Sequence, residues 1–140
     1  GVARLVDEAL RAGVSLAICS TSNERAVKRL VEVMLGSERM KAFAAILAGD
    51  IVKKKKPDPE IYLLARDRLG LDPRECVVVE DSRSGLLAAR AAGMWCIVTT
   101  STYTKGEDFS EADGVYPELG DPPNVLVRIQ DLMNIGGRRG

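Results

Sequence analysis

The feature that most constrains this chain is an alternation between two kinds of apolar pattern. Short apolar runs of strand length take turns with longer stretches whose apolar residues recur at helical spacing. The runs are Val14-Ser15-Leu16-Ala17-Ile18-Cys19, residues 43–47, Cys76-Val77-Val78-Val79 and residues 94–98. Val2, Leu5, Val6 and Leu10 precede the first run at helical spacing, and Gly13 stops them. Val27, Leu30, Val31, Met34 and Leu35 share one helical face between the first and second runs. Ile61, Leu64, Ala65 and Leu69 form another, closed by Gly70, and residues 86–92 form a third, stopped by Gly93. Strands that alternate with helices need right-handed crossovers and a parallel sheet. Runs that are apolar throughout suit a sheet covered on both faces. The expected fold class is therefore α/β, with a Rossmann-like parallel sheet.

The chain has 140 residues, the size of one domain with a sizeable core. From Thr99 onward it is rich in loops, with a short apolar piece at Val115 and a last helix predicted over 125–133. Gly136-Gly137-Arg138-Arg139-Gly140 reads as a frayed end, so the domain is expected to span 1–135 and a disordered tail 136–140.

Charge excludes some functions. Twenty Lys and Arg balance twenty Asp and Glu, so no global field draws a polyanion, and no nucleic acid is expected as a partner. No apolar run approaches the ~20 residues that cross a bilayer, so no membrane is expected either. The chain has no histidine, which removes Ser-His-Asp and Cys-His catalysis and histidine metal sites. Carboxylates, lysine and hydroxyls must do any acid–base or metal work. Three widely spaced cysteines suit neither a disulfide framework nor zinc, and read as reduced, packed side chains in a reducing soluble compartment. Cys19 adjoins the candidate site below, so a reactive thiolate there stays open. Gly1-Val2-Ala3-Arg4 has no signal-peptide pattern and no Met, and looks like an internal starting point.

In parallel α/β sheets, ligands bind beyond the carboxyl ends of the strands. Three places then matter: Ser20-Thr21-Ser22-Asn23, residues 50–57, and Glu80-Asp81-Ser82. Two carboxylates directly after an apolar strand are costly without a partner, yet can converge on a hard cation. Mg²⁺ takes few protein carboxylates, several waters and a phosphate oxygen. Helix capping by Asp81 or Ser82 explains one polar residue there but not the second carboxylate. Of the four lysines Lys53-Lys54-Lys55-Lys56, the first three read as a solvated run. Lys56 differs because Pro57 and Pro59 restrict the backbone around it, so its ammonium can be aimed as a point charge. Ser20-Thr21-Ser22-Asn23 lies between a strand end and a helix start, where free N–H groups and the helix dipole suit a phosphate. Ser20 is the best hydroxyl donor. For Thr21 and Ser22, capping competes with ligand contact on equal terms, and Thr21 with Glu24 has capping-box spacing.

A serine, a lysine and an acidic pair at successive strand ends, in that order, resemble the haloacid-dehalogenase (HAD) superfamily. Its motifs are a DxDx(T/V) loop, a Ser or Thr at a strand end, a Lys before Pro, and an acidic pair. Ser20 in AICSTSN, Lys56 in KKKKPDPEIY and Glu80-Asp81 in VVVEDSRSG match the last three, and Gly85 with AARAAGM fits the subgroup with a small helical cap. The pieces CSTSNE, LAGDIVKKKKPDPEIY, CVVVEDS, YTKGEDFSEAD and LGDPP are more closely similar to the CbbY-like phosphatases of plant and algal chloroplasts. That resemblance implies a Mg²⁺-dependent phosphatase acting on a phosphorylated sugar, xylulose-1,5-bisphosphate in that family, through an aspartyl-phosphate. It implies Lys56 and Ser20 as catalytic residues, residues 20–23 with Lys56 as the substrate contacts, Glu80 and Asp81 as metal ligands, and residence in the chloroplast. No DxDx(T/V) occurs in the chain. The resemblance therefore implies a partial HAD core that lacks its first, central strand, between the strands at 15–19 and 76–79, and its cap. The nucleophile would lie outside these residues, on a segment possessed by a longer protein or supplied by another chain. A sugar-phosphate mutase uses the same residues, and a non-catalytic HAD-like binding module is the reading from a different class. A dehalogenase needs no metal and fits the acidic pair less well.

Overall fold

The structure is a computed structural model that describes residues 1–137. Helix α1 (Val2–Arg11) leads to β1 (Ala17–Cys19), α2 (Glu24–Lys41) and β2 (Ala45–Leu47). Next come α3 (Glu60–Leu69), β3 (Val77–Glu80), α4 (Arg83–Ala91) and β4 (Trp95–Thr99). A short strand β5 (Gly114–Tyr116) and helix α5 (Ile129–Gly137) complete the order. All strand pairs are parallel, as the alternation requires.

The sheet comes in two pieces. In one, Ala17 of β1 stands opposite Ala45 of β2. In the other, β4 lies between β3 and β5, with Val77 opposite Trp95 and Ile97 opposite Gly114. Among the described residues β1 and β3 do not pair with each other. These are the two strands between which the family resemblance implies a missing central strand.

Helices cover both faces. Helices α3 and α4 lie on one face over a continuous core that includes Leu47, Ile61, Ala65, Leu86, Cys96 and Val98, with Cys19 and Val78 against it. This core runs under both pieces of the sheet. The other face carries two separate cores. One gathers Trp95, Ile97 and Val127 with Leu132 and Ile135 of α5. The other gathers Val27, Val31 and Leu35 of α2 with Val6 of α1. Helix α1 touches both, since Leu5 packs on the first and Val6 belongs to the second.

Several boundaries depart from the sequence reading. The first strand begins at Ala17 rather than Val14, because the Val14 N–H still bonds back to the Ala9 carbonyl at 2.9 Å and closes α1. The second begins at Ala45, because the Phe43 N–H closes α2 on the Met40 carbonyl. Leu30 and Met34, expected on the buried face of α2, are exposed, and only Val27, Val31 and Leu35 turn inward. Helix α2 also breaks at Gly36, whose φ of 85° suits a residue without Cβ. Beyond that break Arg39 reaches the Asp7 carboxylate at 2.9 and 3.0 Å. Val115 belongs to a strand, fixed by Asp113, whose carboxylate accepts the Cys96 N–H and the Arg90 guanidinium.

The last helix starts at Ile129, four residues later than predicted. The segment before it is held extended by Arg4, which donates to the carbonyls of Leu119, Gly120 and Val127. Gly136 and Gly137 lie in this helix, and residues 138–140 of the expected tail lie outside the described residues.

Candidate active site

The site is built where the two pieces of sheet approach. Glu80, the last residue of β3, is 8% exposed, the one charged residue among the buried side chains described. A carboxylate at that depth needs partners. Lys56 supplies one, with Nζ 2.5 Å from Glu80 Oε1. The same ammonium donates to the Cys19 carbonyl at 3.1 Å, at the end of β1. Lys56 therefore spans the carboxyl ends of β1 and β3, and shows that both ends lie on one rim.

The loop ahead of α3 explains why this lysine differs from its neighbours. The N–H groups of Lys53 and Lys54 bond the Glu60 carboxylate, at 3.2 and 2.9 Å, which folds the loop back on the helix start. Lys53, Lys54 and Lys55 are exposed, whereas the Lys56 side chain is 18% exposed and turned inward. A third group joins the pair. The Tyr62 hydroxyl, on the buried face of α3, also donates to Glu80 Oε1, and the Lys56 ammonium lies 5.0 Å from the Tyr62 ring centroid. Burial, followed by the negative charge of Glu80, pushes the Tyr62 phenol far up, so it stays protonated and donates.

Asp81 differs from Glu80. Its side chain is exposed, and its carboxylate has no hydrogen-bond partner among the described residues. It does not cap the following helix. Ser82 does that, accepting the Gly85 N–H at 3.1 Å. The acidic pair is thus divided into one carboxylate locked to Lys56 and Tyr62 and one that faces solvent.

The loop after β1 also divides. The Ser20 N–H bonds the Leu47 carbonyl at 2.9 Å, and its hydroxyl accepts the Ser22 N–H at 3.2 Å. Ser20 follows directly on Cys19, whose carbonyl receives Lys56. Asn23, not Thr21, caps α2, through its side-chain oxygen and the Ala26 N–H at 3.2 Å. Thr21 and Asn23 instead line a cleft of about 680 Å³ with Gly49, Asp50 and Lys55. Ser20, Lys56, Glu80 and Asp81 are not in its wall. Ser22 is exposed, and its carbonyl accepts the Gly49 N–H at 2.7 Å. Burial pushes the Cys19 thiol up to about 11, so the reactive thiolate left open by the sequence is not formed near neutral pH.

Among the described residues no three Cys, Asp or Glu side chains gather closely enough to hold a metal by themselves. Glu80 and Asp81 provide two carboxylates at one strand end. That donor set fits Mg²⁺, which takes one or two carboxylates and fills its shell with water and phosphate oxygens.

Two residues of this site had escaped the sequence reading. Tyr62 falls outside the apolar set Ile61, Leu64, Ala65 and Leu69 that helical spacing picks out on α3. Gly85, noted only as a family signature, packs against Glu80 so closely that a Cβ on it would overlap the carboxylate. A glycine inside a helix, where alanine is favoured by roughly 0.5–1 kcal/mol, was the available signal.

Comparison with known proteins gives the family. Residues 1–93 match the model of the haloacid dehalogenase-like hydrolase family. A CBBY-like protein of Arabidopsis thaliana is 61% identical over 123 residues, 88% of this chain and 38% of that protein. The crystal structure of CbbY from Rhodobacter sphaeroides in complex with phosphate superimposes with a TM-score of 0.81 at 42% identity, over 86% of this chain and 55% of that one. A mutant of the same CbbY in complex with xylulose-1,5-bisphosphate gives the same TM-score over 84% and 52%. The chain thus spans about half, or less, of the length of the proteins it matches. Among the described residues no helix is long and apolar enough to cross a membrane. With its parallel α/β core and a family match across about two thirds of its length, the chain belongs to the haloacid dehalogenase-like hydrolases.

Proposed function

We propose that the full-length protein is a Mg²⁺-dependent phosphatase that hydrolyses a sugar phosphate, with xylulose-1,5-bisphosphate as the first candidate. One observation carries this reading. The Lys56 ammonium sits between the end of β1 and the end of β3, bonded to the Cys19 carbonyl and to Glu80, whose chain neighbour is the exposed Asp81, and a phosphate and its cation would meet there. The likeness to a CbbY solved with xylulose-1,5-bisphosphate supports the choice of substrate. Residence in the chloroplast belongs to the same proposal and rests on the plant relative.

The chain's own residues have separable tasks. Lys56 places positive charge where the transferring oxygens gather, which offsets repulsion between an anionic nucleophile and an anionic substrate. Ser20 offers a hydroxyl to one of those oxygens, and Thr21, Ser22 and Asn23 follow it into the N-terminal end of α2, where an anion is favoured. Glu80 and Asp81 hold the cation, and Glu80 also fixes Lys56. Mg²⁺, when bound, supplies charge neutralisation at the phosphate. The nucleophile is an aspartate outside these 140 residues, on a parallel strand pairing between β1 and β3. It comes from the same protein or from a partner chain. It would form an aspartyl-phosphate that water then hydrolyses.

The test is phosphate release from xylulose-1,5-bisphosphate by the full-length protein, with and without Mg²⁺. Asp81→Asn should lower the Mg²⁺-dependent rate by at least about a hundredfold, the upper range seen when metal-site groups are lost. A wild-type rate in that variant ends the assignment. An isomeric sugar phosphate formed without free phosphate would make the protein a mutase, and a protein that binds the sugar phosphate without any turnover would be a binding module.

A further inference from the structure

A lysine ammonium carries three N–H donors, and two of those on Lys56 are spent inside the protein. One goes to the Cys19 carbonyl at 3.1 Å and one to Glu80 Oε1 at 2.5 Å. The third has no acceptor among the described residues, and the side chain is 18% exposed, so this donor is the one left for an incoming oxygen. Its direction depends on how firmly the other two acceptors are held. The Cys19 carbonyl is held by the backbone at the end of β1. Glu80 has a flexible side chain, yet its carboxylate is closed in on two sides. The Tyr62 hydroxyl donates to the same Oε1, and Oε2 is turned to Gly85, where it is the first atom that a Cβ would meet. Tyr62 also acts on Lys56 directly, since its ring centroid lies 5.0 Å from the ammonium, within reach of a cation–π attraction. Tyr62 is buried, and among the described residues its hydroxyl bonds nothing but Glu80. Packing alone would be met by phenylalanine.

We propose that Tyr62 is a positioning residue for Lys56: its hydroxyl pins the oxygen that receives the ammonium, its ring supports the ammonium directly, and together they aim the third N–H at a phosphate oxygen. The proposal rests on the phosphatase reading for the phosphate. Lysine needs this help because its charge is a point at the end of a flexible stem, with donors that rotate. Two acceptors fix such a group only as well as they are fixed themselves. Tyr62, on the rigid frame of α3, supplies what a free glutamate side chain lacks. Placement matters here because catalysis of phosphoryl transfer is mostly positioning and charge stabilisation. In this role Tyr62 touches neither substrate nor metal.

The experiment compares full-length wild type, Tyr62→Phe, Tyr62→Leu, Lys56→Met and the double variant of Tyr62→Phe with Lys56→Met, all at saturating Mg²⁺. Affinity for inorganic phosphate is read by titration calorimetry, kcat by phosphate release from the sugar phosphate, and the midpoint of thermal unfolding on the same samples. Tyr62→Leu loses both hydroxyl and ring, and should lower phosphate affinity and kcat by up to about a hundredfold, the cost of misplacing a group by about 1 Å. Tyr62→Phe keeps the ring and its packing, and should lose about tenfold, part of that range. In the Lys56→Met background Tyr62→Phe should add nothing, because no ammonium remains to be aimed. A wild-type phosphate affinity in Tyr62→Phe overturns the proposal, whether or not the midpoint of unfolding falls, and decides by itself where Lys56→Met does not fold. A loss of equal size with and without Lys56 overturns it as well. Wild-type protein that binds phosphate but releases none from the sugar phosphate sinks the phosphatase reading alone, and the phosphate affinities still decide the role of Tyr62. Wild-type protein that takes up no phosphate overturns both.

Discussion

Strands β4 and β1 are both short apolar runs, yet they are buried very differently. Trp95, Cys96, Ile97 and Val98 of β4 are all between 0% and 8% exposed, whereas every residue of β1 is only half-buried. Strand β3 is mixed, with Val79 40% exposed and Glu80 8% exposed. Composition does not separate them. Neighbours do: β4 pairs on both edges and is covered on both faces, while β1 and β3 each pair on one edge. The two faces of the sheet differ in the same way. One core is continuous beneath both pieces, and the other is split in two along the line where β1 and β3 face each other. The two pieces are therefore joined by the α3–α4 face, by helix α1, and at the functional rim by Lys56.

That comparison can be broken most sharply at Lys56. Lys56→Met leaves Glu80 buried with Tyr62 as its one strong partner, and should destabilise the 140-residue chain by about 3–5 kcal/mol, as removing one half of a buried ion pair does. Urea unfolding followed through Trp95, the only tryptophan, measures it. A loss below about 1 kcal/mol, the size of a surface pair, would mean that Lys56 does not join the pieces.

The difference in burial itself is tested by a matched pair. Ile97→Ala in β4 should cost about 3 kcal/mol, and Ile18→Ala in β1 about 1 kcal/mol, because the second side chain is already partly in water. Equal losses in the same unfolding experiment would erase the contrast between the strands.

The smallest effect concerns the helix that straddles the split core. Glu8 accepts the Ile129 N–H and the Arg4 guanidinium, and these two partners, in that order, hold its carboxyl below the usual 4.5. A depressed carboxylate stabilises the fold fully above its unfolded value and loses that contribution as pH falls through the folded one. Stability should thus be flat above pH 4.5 and decline below it by a part that Glu8→Gln abolishes. A wild-type acid limb that coincides with that of the variant would show that this tie between α1 and α5 carries no weight.

Much of the fold was legible in the sequence because alternation of period leaves few topologies. Apolar runs of strand length, each followed by helical spacing, require crossovers, and crossovers require parallel strands. The candidate rim was legible for the same reason, since it lies at strand ends that the order of elements already fixes. Element ends were less legible. Val14 and Phe43 are apolar and strand-like, yet their N–H groups finish the preceding helices. Strand β5 was hidden because three residues with an exposed valine carry no periodicity, and a carboxylate at Asp113 sets their place.

Within the site, the sequence by itself determined which residue types stand at which strand end: Ser20, Lys56, Glu80 and Asp81. Only the tertiary structure decided how they divide the work. Glu80, the last residue of β3, is buried against Lys56 and Tyr62, while Asp81, just past the strand, is exposed, a difference that no pair of neighbouring letters expresses. Tyr62 and Gly85 meet Glu80 from helices on either side of it in the sequence, and such contacts exist only once packing has brought those helices to one carboxylate.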